Sequence, residues 1–306
     1  MLDKNLLKGK KTIITGASYG IGKSIAIGFA DLGSEVGILS RNEDKLENVV
    51  NEIKEKGHSA YYEKGDVSNY DEVKEAIDNL IKKMGKIDVL INNAGVSRIK
   101  EFEKLKVHQI ELLTDVNLKG VIFCSHIILP HFIKNNGGAI INTSSIGGLF
   151  PYPTNIIYGA TKAGVNLFTQ GLAAEMNAYE NKKNITTHSI MPGPVDTPMY
   201  NFGLSRQKVL SRVPIQPDEL VPYYAFYASD LAKNAPSGRL VNIESFRALF
   251  RILDKQTDIS PKNWKDLEPI IKDKLTPSIQ GDIKSCKNLL EMLLSKDISF
   301  RKTVTS

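Results

Sequence analysis

The chain has 306 residues, of which 42% are hydrophobic and 24% are charged, and its formal net charge is +6. This composition is typical of a globular protein with a sizeable core and excludes a disordered or fibrous chain. No signal-peptide pattern opens the sequence and no apolar run approaches the ~18 residues of a membrane helix, so we expect a cytoplasmic protein that binds no membrane. Beyond residue 245, 12 basic side chains stand against 8 acidic ones. No basic run is interleaved with aromatic residues, so we expect no nucleic-acid partner.

The two cysteines, Cys124 and Cys286, lie far apart in apolar, helix-like contexts. No histidine stands near either of them at the spacing of a zinc site. We therefore expect two buried free thiols and no metal site.

A glycine-rich loop separates the first predicted strand, residues 11–15, from the first predicted helix. Its spacing, G-x-x-x-G-x-G, lets the backbone turn tightly and leaves the N-terminus of the helix open to a pyrophosphate. A strand before the loop and a helix after it make the signal specific. The residues predicted to bind a dinucleotide here are Gly16, Ser18, Tyr19, Gly20, Ile21 and Gly22.

The second predicted strand, residues 35–39, ends in Ser40 and Arg41. An acidic residue at this position would bind the hydroxyls of the adenosine ribose, and none is present. A hydroxyl and a guanidinium instead suit a ribose 2′-phosphate, which favours NADP(H), with NAD(H) as the alternative. Tyr19 stands where a second basic residue would help, and an exposed arginine that only closes the loop is the other explanation of Arg41.

The next two predicted strands, residues 60–64 and 87–91, also end in candidate ligand-binding residues. Asp66, followed by Val67, could accept a hydrogen bond from an adenine amino group or could cap the next helix. The fourth strand runs into Asn93, Ala94 and Gly95, whose small and amide side chains let a flat ring approach the backbone. Helices predicted over residues 43–56 and 70–84 alternate with these strands, which indicates a parallel sheet covered on both faces.

Tyr158 and Lys162 lie four residues apart at the start of a predicted helix, so they share one helix face. A free phenol has a pKa of about 10, and a nearby ammonium favours the phenolate and lowers that pKa. Ser145, at the end of the preceding strand, could donate a hydrogen bond to the oxygen that exchanges the proton. Taken alone, such a pair is more often a packed ring beside a solvated amine.

Taken together, these residues resemble the commonest branch of the short-chain dehydrogenase/reductase family. The resemblance covers about residues 8–243. The motifs that carry it, in the family's order, are Thr15-Gly16-x-x-x-Gly20-Ile21-Gly22, Asn92-Asn93-Ala94-Gly95, Ser145, Tyr158-x-x-x-Lys162 and Pro192-Gly193. It implies an α/β fold, a doubly wound, Rossmann-like parallel sheet of about seven strands.

The resemblance also implies an oxidoreductase that transfers a hydride between NADP(H) and a ketone or secondary alcohol, such as a 3-oxoacyl or general carbonyl reductase. Tyr158 would be the proton donor and acceptor. Lys162 would lower its pKa and hold the nicotinamide ribose, and Ser145 would orient the substrate oxygen. Asn117 would hold a water on its backbone carbonyl, although an amide that bonds nearby backbone explains it equally well. The residues expected around the carboxamide and pyrophosphate are Pro192, Gly193, Val195 and Thr197.

The family pairs two helices in its oligomers, here residues 117–135 and the helix that begins at Tyr158, so we expect a homodimer or homotetramer. Residues 199–221 are expected to form a lid over the substrate. A member of the family that binds nucleotide but acts as a regulatory or scaffolding subunit through its C-terminal tail is the alternative function.

The sequence departs from the family at its end, where Glu244-Ser245-Phe246 replaces the usual Asp-Gly-Gly. We expect residues 1–245 to form the dinucleotide-binding and catalytic domain and residues 246–306 a helical extension. Its helices are predicted near residues 246–255, 261–275 and 277–295. An apolar stripe on the last helix must pack on its own body, a neighbouring subunit or another protein, and we favour the first two.

Overall fold

The computed structural model describes residues 2–182, 184–200, 214–255 and 264–295. In this part of the chain, seven parallel strands form one sheet in the order β3-β2-β1-β4-β5-β6-β7. The strands are β1 Lys11–Thr15, β2 Glu35–Ser40, β3 Ala60–Lys64, β4 Val89–Asn92, β5 Gly138–Thr143, β6 Ile185–Met191 and β7 Leu240–Asn242. The predicted doubly wound, Rossmann-like sheet is confirmed.

Helices connect the strands and cover both faces of the sheet. The first six are α1 Gly20–Asp31, α2 Glu43–Glu55, α3 Tyr70–Met84, α4 Val107–Thr114, α5 Gly120–Lys134 and α6 Ile156–Ala178. The described helices that follow are α7 Val221–Ala228, α8 Ile243–Lys255, α9 Trp264–Lys274, α10 Pro277–Ser285 and α11 Lys287–Ser295.

Adjacent apolar residues on the central strands feed two separate cores. Ile14 joins the core that contains α1, α2 and α7, whereas its neighbour Ile13 joins the core that contains α3, α5 and α6. Ile140 and Ile141 on β5 divide in the same way. Successive side chains of a strand point to opposite faces, so a run of isoleucines suits a sheet that is buried on both sides.

The order of the strands reverses between β1 and β4, which pair in parallel with Ile14 opposite Ile91. The chain leaves β1 towards β2 and β3, and then returns to place β4 on the other side of β1. At such a reversal the connecting helices diverge and leave a crevice above the carboxyl ends of the strands. The candidate site lies in this crevice.

The helix predicted from residue 117 begins earlier in the structure. Helix α4 continues through a π-helical turn, Asp115–Lys119, into α5, and this turn shifts the apolar repeat that a regular helix would show. The combined helix, Val107–Lys134, is within the described residues the one helix long and apolar enough to span a membrane by length and composition, which the sequence prediction did not foresee. It buries Val121, Ile128 and Phe132 in the protein, as a core helix does.

The C-terminal helices α8 to α11 pack on the chain's own core. The predicted last helix is divided at Cys286 into α10 and α11, and its stripe residues Ile283, Leu290 and Leu293 are buried in the core that contains α7. Helix α7 itself is not predicted by the sequence pattern, because all eight of its residues are buried and it has no polar face. Cys124 and Cys286 are free and buried, as expected.

Candidate active site

A cleft of about 760 Å³ opens above the carboxyl ends of β1, β4, β5 and β6. It is lined by every residue that the sequence predicts for the site except Gly22 and Asn117. These two lie immediately behind the lining. The cleft runs from Arg41, at the tip of β2, to Tyr158 at the start of α6, so residues from six strand ends and two helices meet in one continuous space.

The glycine-rich loop forms the floor of the cleft. Gly16 and Gly20 have φ angles of +65° and +59°, a region that favours glycine. A Cβ on Gly16 would lie 2.6 Å from the Cα of Ala94, and one on Gly22 would lie 2.5 Å from Asn93 Nδ2. The side chain of Tyr19 does not cap α1, so the first amides of the helix remain available to an anion in the cleft.

Thr15 and Asn93 join the ends of β1 and β4. Thr15 Oγ1 accepts hydrogen bonds from the backbone amides of Asn93 and Ala94, each at 3.0 Å. Asn93 Nδ2 donates in return to the carbonyl oxygens of Thr15 and Gly16 at 3.1 Å. These reciprocal hydrogen bonds fix the ends of β1 and β4 relative to each other. The role of the Thr15 hydroxyl in them was missed in the sequence.

Exposed charges surround the end of the cleft at Arg41, which we call the Arg41 end. The side chain of Arg41 is 62% exposed and its Nη1 lies 3.7 Å from Asp66 Oδ2. Asp66 Oδ1 accepts from both the amide and the hydroxyl of Ser68 in the turn after β3, whereas Asn69 caps α3, so the expectation that Asp66 caps the next helix is wrong. A second cation, which the sequence prediction overlooked, lies beside Tyr19, where Lys45 Nζ is 5.5 Å from the ring centroid.

The catalytic candidates lie together at the opposite end, between the end of β5 and the first two turns of α6. Lys162 is only 3% exposed, and its Nζ donates to the carbonyl oxygen of Thr143 at 2.7 Å. The same nitrogen is 5.7 Å from the ring centroid of Tyr158. Ser145 Oγ accepts from the amide of Gly147 at 3.0 Å and is hydrogen-bonded to the Tyr158 phenol.

The structure corrects the expected pKa of the tyrosine. Burial raises the pKa of Tyr158 above its ordinary value, and the hydrogen bond with Ser145 offsets part of this rise. Burial also lowers the pKa of Lys162, to about 8. The net lowering of the phenol pKa that the sequence predicts is not found, because desolvation of the phenol dominates and the ammonium binds the Thr143 carbonyl. At neutral pH the phenol is protonated and can act as an acid.

Asn117 is fully buried in the π-helical turn. Its side-chain oxygen accepts from the amide of Val96 at 2.8 Å, and its nitrogen donates to the Val96 carbonyl at 2.9 Å. The nitrogen also lies 3.3 Å from Thr161 Oγ1 on α6. This geometry is that of the structural alternative, an amide that fixes the loop after β4, while the role of its backbone carbonyl stays a prediction.

Helix α7 contacts Thr143 at the Tyr158 end of the cleft. The hydroxyl of Tyr224 lies 2.8 Å from Thr143 Oγ1, on the same residue whose carbonyl oxygen binds Lys162. Both side chains are buried. No local sequence signal connects Tyr224 with the site, because the contact is made across 81 positions of the chain.

The substrate side of the cleft mixes polar and apolar groups. Its lining there consists of Ser97, Ile99, Tyr152, Asn155, Met199 and Tyr200. Of the predicted lid, residues 201–213 lie outside the described residues. Ile215, beyond them, forms a parallel β-bridge with Val195, which ties the end of this segment to the cleft.

The cleft fits a dinucleotide. It has glycines where the backbone must approach a ligand, the uncapped amides of α1 for a pyrophosphate, and a guanidinium at one end. In the described ranges, no group of three or more His, Cys, Asp or Glu side chains is arranged to hold a metal ion.

The family model for the short chain dehydrogenases matches residues 10–207. This match spans more than half of the chain, which therefore belongs to the short-chain dehydrogenase family. It is an oxidoreductase that acts on CH–OH or C=O groups. The resemblance found in the sequence motifs is thereby confirmed.

Among curated proteins, the 3-oxoacyl-(acyl-carrier-protein) reductase of Staphylococcus epidermidis is 36% identical over 232 residues, which cover 73% of this chain and 93% of the relative. The reductase of the same name from Thermotoga maritima is 32% identical over 244 residues, or 78% and 97% of the two chains. A solved gluconate 5-dehydrogenase from Burkholderia cenocepacia, in complex with NADP and tartrate, matches with a TM-score of 0.72 at 29% identity, covering 78% of this chain and 95% of that one.

Proposed function

We propose that the chain is an NADP(H)-dependent reductase of a ketone, with Tyr158 as the proton donor and, in the reverse direction, the proton acceptor. The observation that carries this proposal is the position of the half-buried Tyr158 phenol beside the buried Lys162 ammonium at one end of the cleft. Buried titratable groups that share a cleft are a common mark of acid–base catalysis.

The nicotinamide cofactor, when bound, supplies the hydride for reduction. The hydroxyls of Ser145 and Tyr158 donate hydrogen bonds to the substrate oxygen and orient the carbonyl. Tyr158 gives up its proton as charge develops on that oxygen, and the Lys162 ammonium stabilises the phenolate that remains. The Thr143 carbonyl keeps the ammonium in place, so little reorganisation accompanies the proton transfer.

Residues along the cleft would hold the two halves of the cofactor. The amides at the start of α1 suit the pyrophosphate, and Lys162 suits the nicotinamide ribose. Ser40 and Arg41 suit a 2′-phosphate, and Lys45 adds positive charge beside Tyr19. The NADP bound to the related gluconate 5-dehydrogenase agrees with this choice, whereas NAD(H) remains the alternative.

A 3-oxoacyl thioester is the substrate that we favour. The two named curated relatives reduce 3-oxoacyl groups on acyl carrier protein, according to their names. Ile99, Tyr152 and Met199 give the substrate side of the cleft an apolar wall that suits an acyl chain. A general carbonyl reductase, which would accept other ketones as substrates, is the broader class.

The direct test is turnover by the purified full chain. NADPH or NADH would be mixed with a panel that contains a 3-oxoacyl thioester, a keto acid of a sugar and a simple aromatic ketone, and oxidation of the cofactor would be followed by absorbance. We expect NADPH oxidation with the thioester. Dinucleotide binding without turnover of any carbonyl would instead support the regulatory alternative.

We also propose that the chain forms a homodimer or homotetramer through α5 and α6 and works in the cytoplasm. Leu167 on α6 is 71% exposed, and Ile122 on α5 is also exposed, which leaves apolar side chains for a second copy to cover. Light scattering would give the mass of the assembly. L167E should reduce that mass if α6 forms the interface.

A further inference from the structure

The loop that follows β6 is held at several points, and one of them involves the unusual end of β7. The carbonyl of Pro192 accepts from the amide of Ile146 at 3.0 Å, and the amide of Asp196 donates to the Ile215 carbonyl at 2.8 Å. Between these anchors lies Gly193, which lines the cleft. A Cβ on Gly193 would be 2.3 Å from Glu244 Oε1, so the carboxylate lies directly against the Cα of this glycine.

Glu244 is itself held by a buried cation. Arg247 Nη1 donates to Glu244 Oε1 at 3.0 Å, and the two side chains are 5% and 14% exposed, respectively. Glu244 lies in the first turn of α8 and Arg247 one turn further on, directly after the segment that replaces the family's usual Asp-Gly-Gly. Desolvating two charges is expensive, so a buried pair is weak evidence for added stability, and a role in fixing a specific geometry is a better explanation.

We propose that the Glu244–Arg247 pair is a positioning device. It contacts Gly193 and holds the loop of residues 192–197 in the conformation that binds the cofactor. This inference rests on the proposed function, because it takes that loop to be part of the cofactor site. Glu244 and Arg247 touch the loop from behind and act through it. Helix α10, which packs on α8, is thereby coupled to dinucleotide binding.

A purely electrostatic effect makes a different prediction. The pyrophosphate is negative, so loss of the Glu244 charge would strengthen binding and loss of the Arg247 charge would weaken it. A positioning device is broken by either change. E244A removes the contact with Gly193, and R247M removes the Arg247 hydrogen bond that holds the carboxylate, so both variants should bind the dinucleotide more weakly.

Asp282 provides the matched control. Its carboxylate accepts from Asn242 Nδ2 at 3.0 Å and from Ser245 Oγ at 2.6 Å, so it anchors the start of α8 through these two residues and not through Gly193. D282N should therefore lower the melting temperature, as E244A and R247M do, without a comparable effect on the cofactor. E244Q, which keeps the shape of the side chain, is a milder variant in case E244A does not fold.

The experiment measures the Kd for NADPH by fluorescence and the hydrogen–deuterium exchange of residues 191–199 in the cofactor-free protein. We expect E244A and R247M to raise the Kd about tenfold, the factor that corresponds to loss of one charge-assisted hydrogen bond, and to speed exchange in the loop. E244Q should do both to a smaller extent, and D282N should change the Kd less than twofold.

Two results would overturn the inference: opposite shifts of the Kd in E244A and R247M, or equal changes in loop exchange for E244A and D282N. A wild-type chain that binds no dinucleotide would instead refute the proposed function, and the exchange data would still report whether Glu244 orders the loop. Failure of the inference and failure of the proposed function are therefore distinguishable.

Discussion

The two ends of the cleft differ in how far their charged side chains are exposed to water. At the Tyr158 end, Lys162 is almost fully buried and the half-buried ring of Tyr158 lies beside it. At the Arg41 end, the charged side chain of Arg41 is mostly exposed and forms a long ion pair with Asp66. The Tyr158 end holds groups with shifted pKa values, and the Arg41 end is a solvated surface with an exposed charge.

The difference teaches where single substitutions matter. In a site of low dielectric, hydrogen bonds and charges act strongly, and the loss of one group leaves its partners without compensation. At an exposed site, the same charges are screened by water and salt, and ion pairs contribute about 0–1 kcal/mol. Effects on the enzyme should therefore decrease from the Tyr158 end of the cleft to the Arg41 end.

The largest effect is expected for Y158F, which removes the proton donor and keeps the ring. Positioned acids contribute about 10²–10⁴ to rate, so the turnover number should fall by roughly that factor. The Kd for NADPH should stay within about twofold of the wild type, since the packing of the ring is preserved. Steady-state kinetics and fluorescence titration measure the two quantities, and a Phe variant with near wild-type turnover would refute the role of the phenol.

The pH dependence should report Lys162. Its pKa is lowered to about 8, so the folded enzyme loses this proton earlier than a free lysine does as the pH rises. The phenol pKa is raised, so Tyr158 keeps its proton in the same range. We expect kcat/KM for reduction to be level below pH 8 and to fall about tenfold per pH unit above it, as expected for loss of one proton.

K162R is the control for this assignment. A guanidinium stays charged throughout this range, so the variant should be less active but should show no fall near pH 8. Identical profiles of K162R and the wild type would show that another group titrates.

Much of the fold and the membership of the cleft could be predicted from the sequence. The bounds of β1, β3 and α3 agree with the predicted ranges because turn residues or helix caps flank each element. The motifs place their residues at strand ends, and parallel strands bring these ends to one edge of the sheet. Gly22 and Asn117 were also assigned to the site, but both lie behind the lining of the cleft.

Other features could not be predicted, because they depend on contacts between distant parts of the chain. The sequence pattern does not reveal that α7 is helical. A fully buried helix is apolar on every side, so it lacks the single apolar stripe by which a surface helix is predicted. The pKa of Tyr158 depends on the balance between burial and the hydrogen bond with Ser145, which spacing on a helix does not give. The contacts of Glu244 with Gly193 and of Tyr224 with Thr143 join residues far apart in sequence.

A smaller effect is expected for Y224F, which tests support of the catalytic end from outside the cleft. The variant loses the hydrogen bond to Thr143, and we expect the free energy of unfolding to fall by about 1 kcal/mol and kcat/KM by about fivefold. Tyr227 is the control on the same helix, because its hydroxyl donates to Cys286 Sγ instead. Y227F should destabilise the protein without the loss of kcat/KM. Equal losses in both variants would show that only stability is affected.

The smallest effect belongs to the exposed end. R41A should raise the Kd for NADPH about threefold to fivefold, the range expected for an exposed charge contact, and should leave the Kd for NADH unchanged. The difference from the wild type should shrink in 0.5 M salt, where the Debye length is about 4 Å. K23A is the matched control, because Lys23 is an exposed cation on α1 that pairs with Glu52 and does not line the cleft. If R41A weakened both cofactors equally, Arg41 would be a structural closure of the loop, and the preference for a 2′-phosphate would have to come from Ser40 or Lys45.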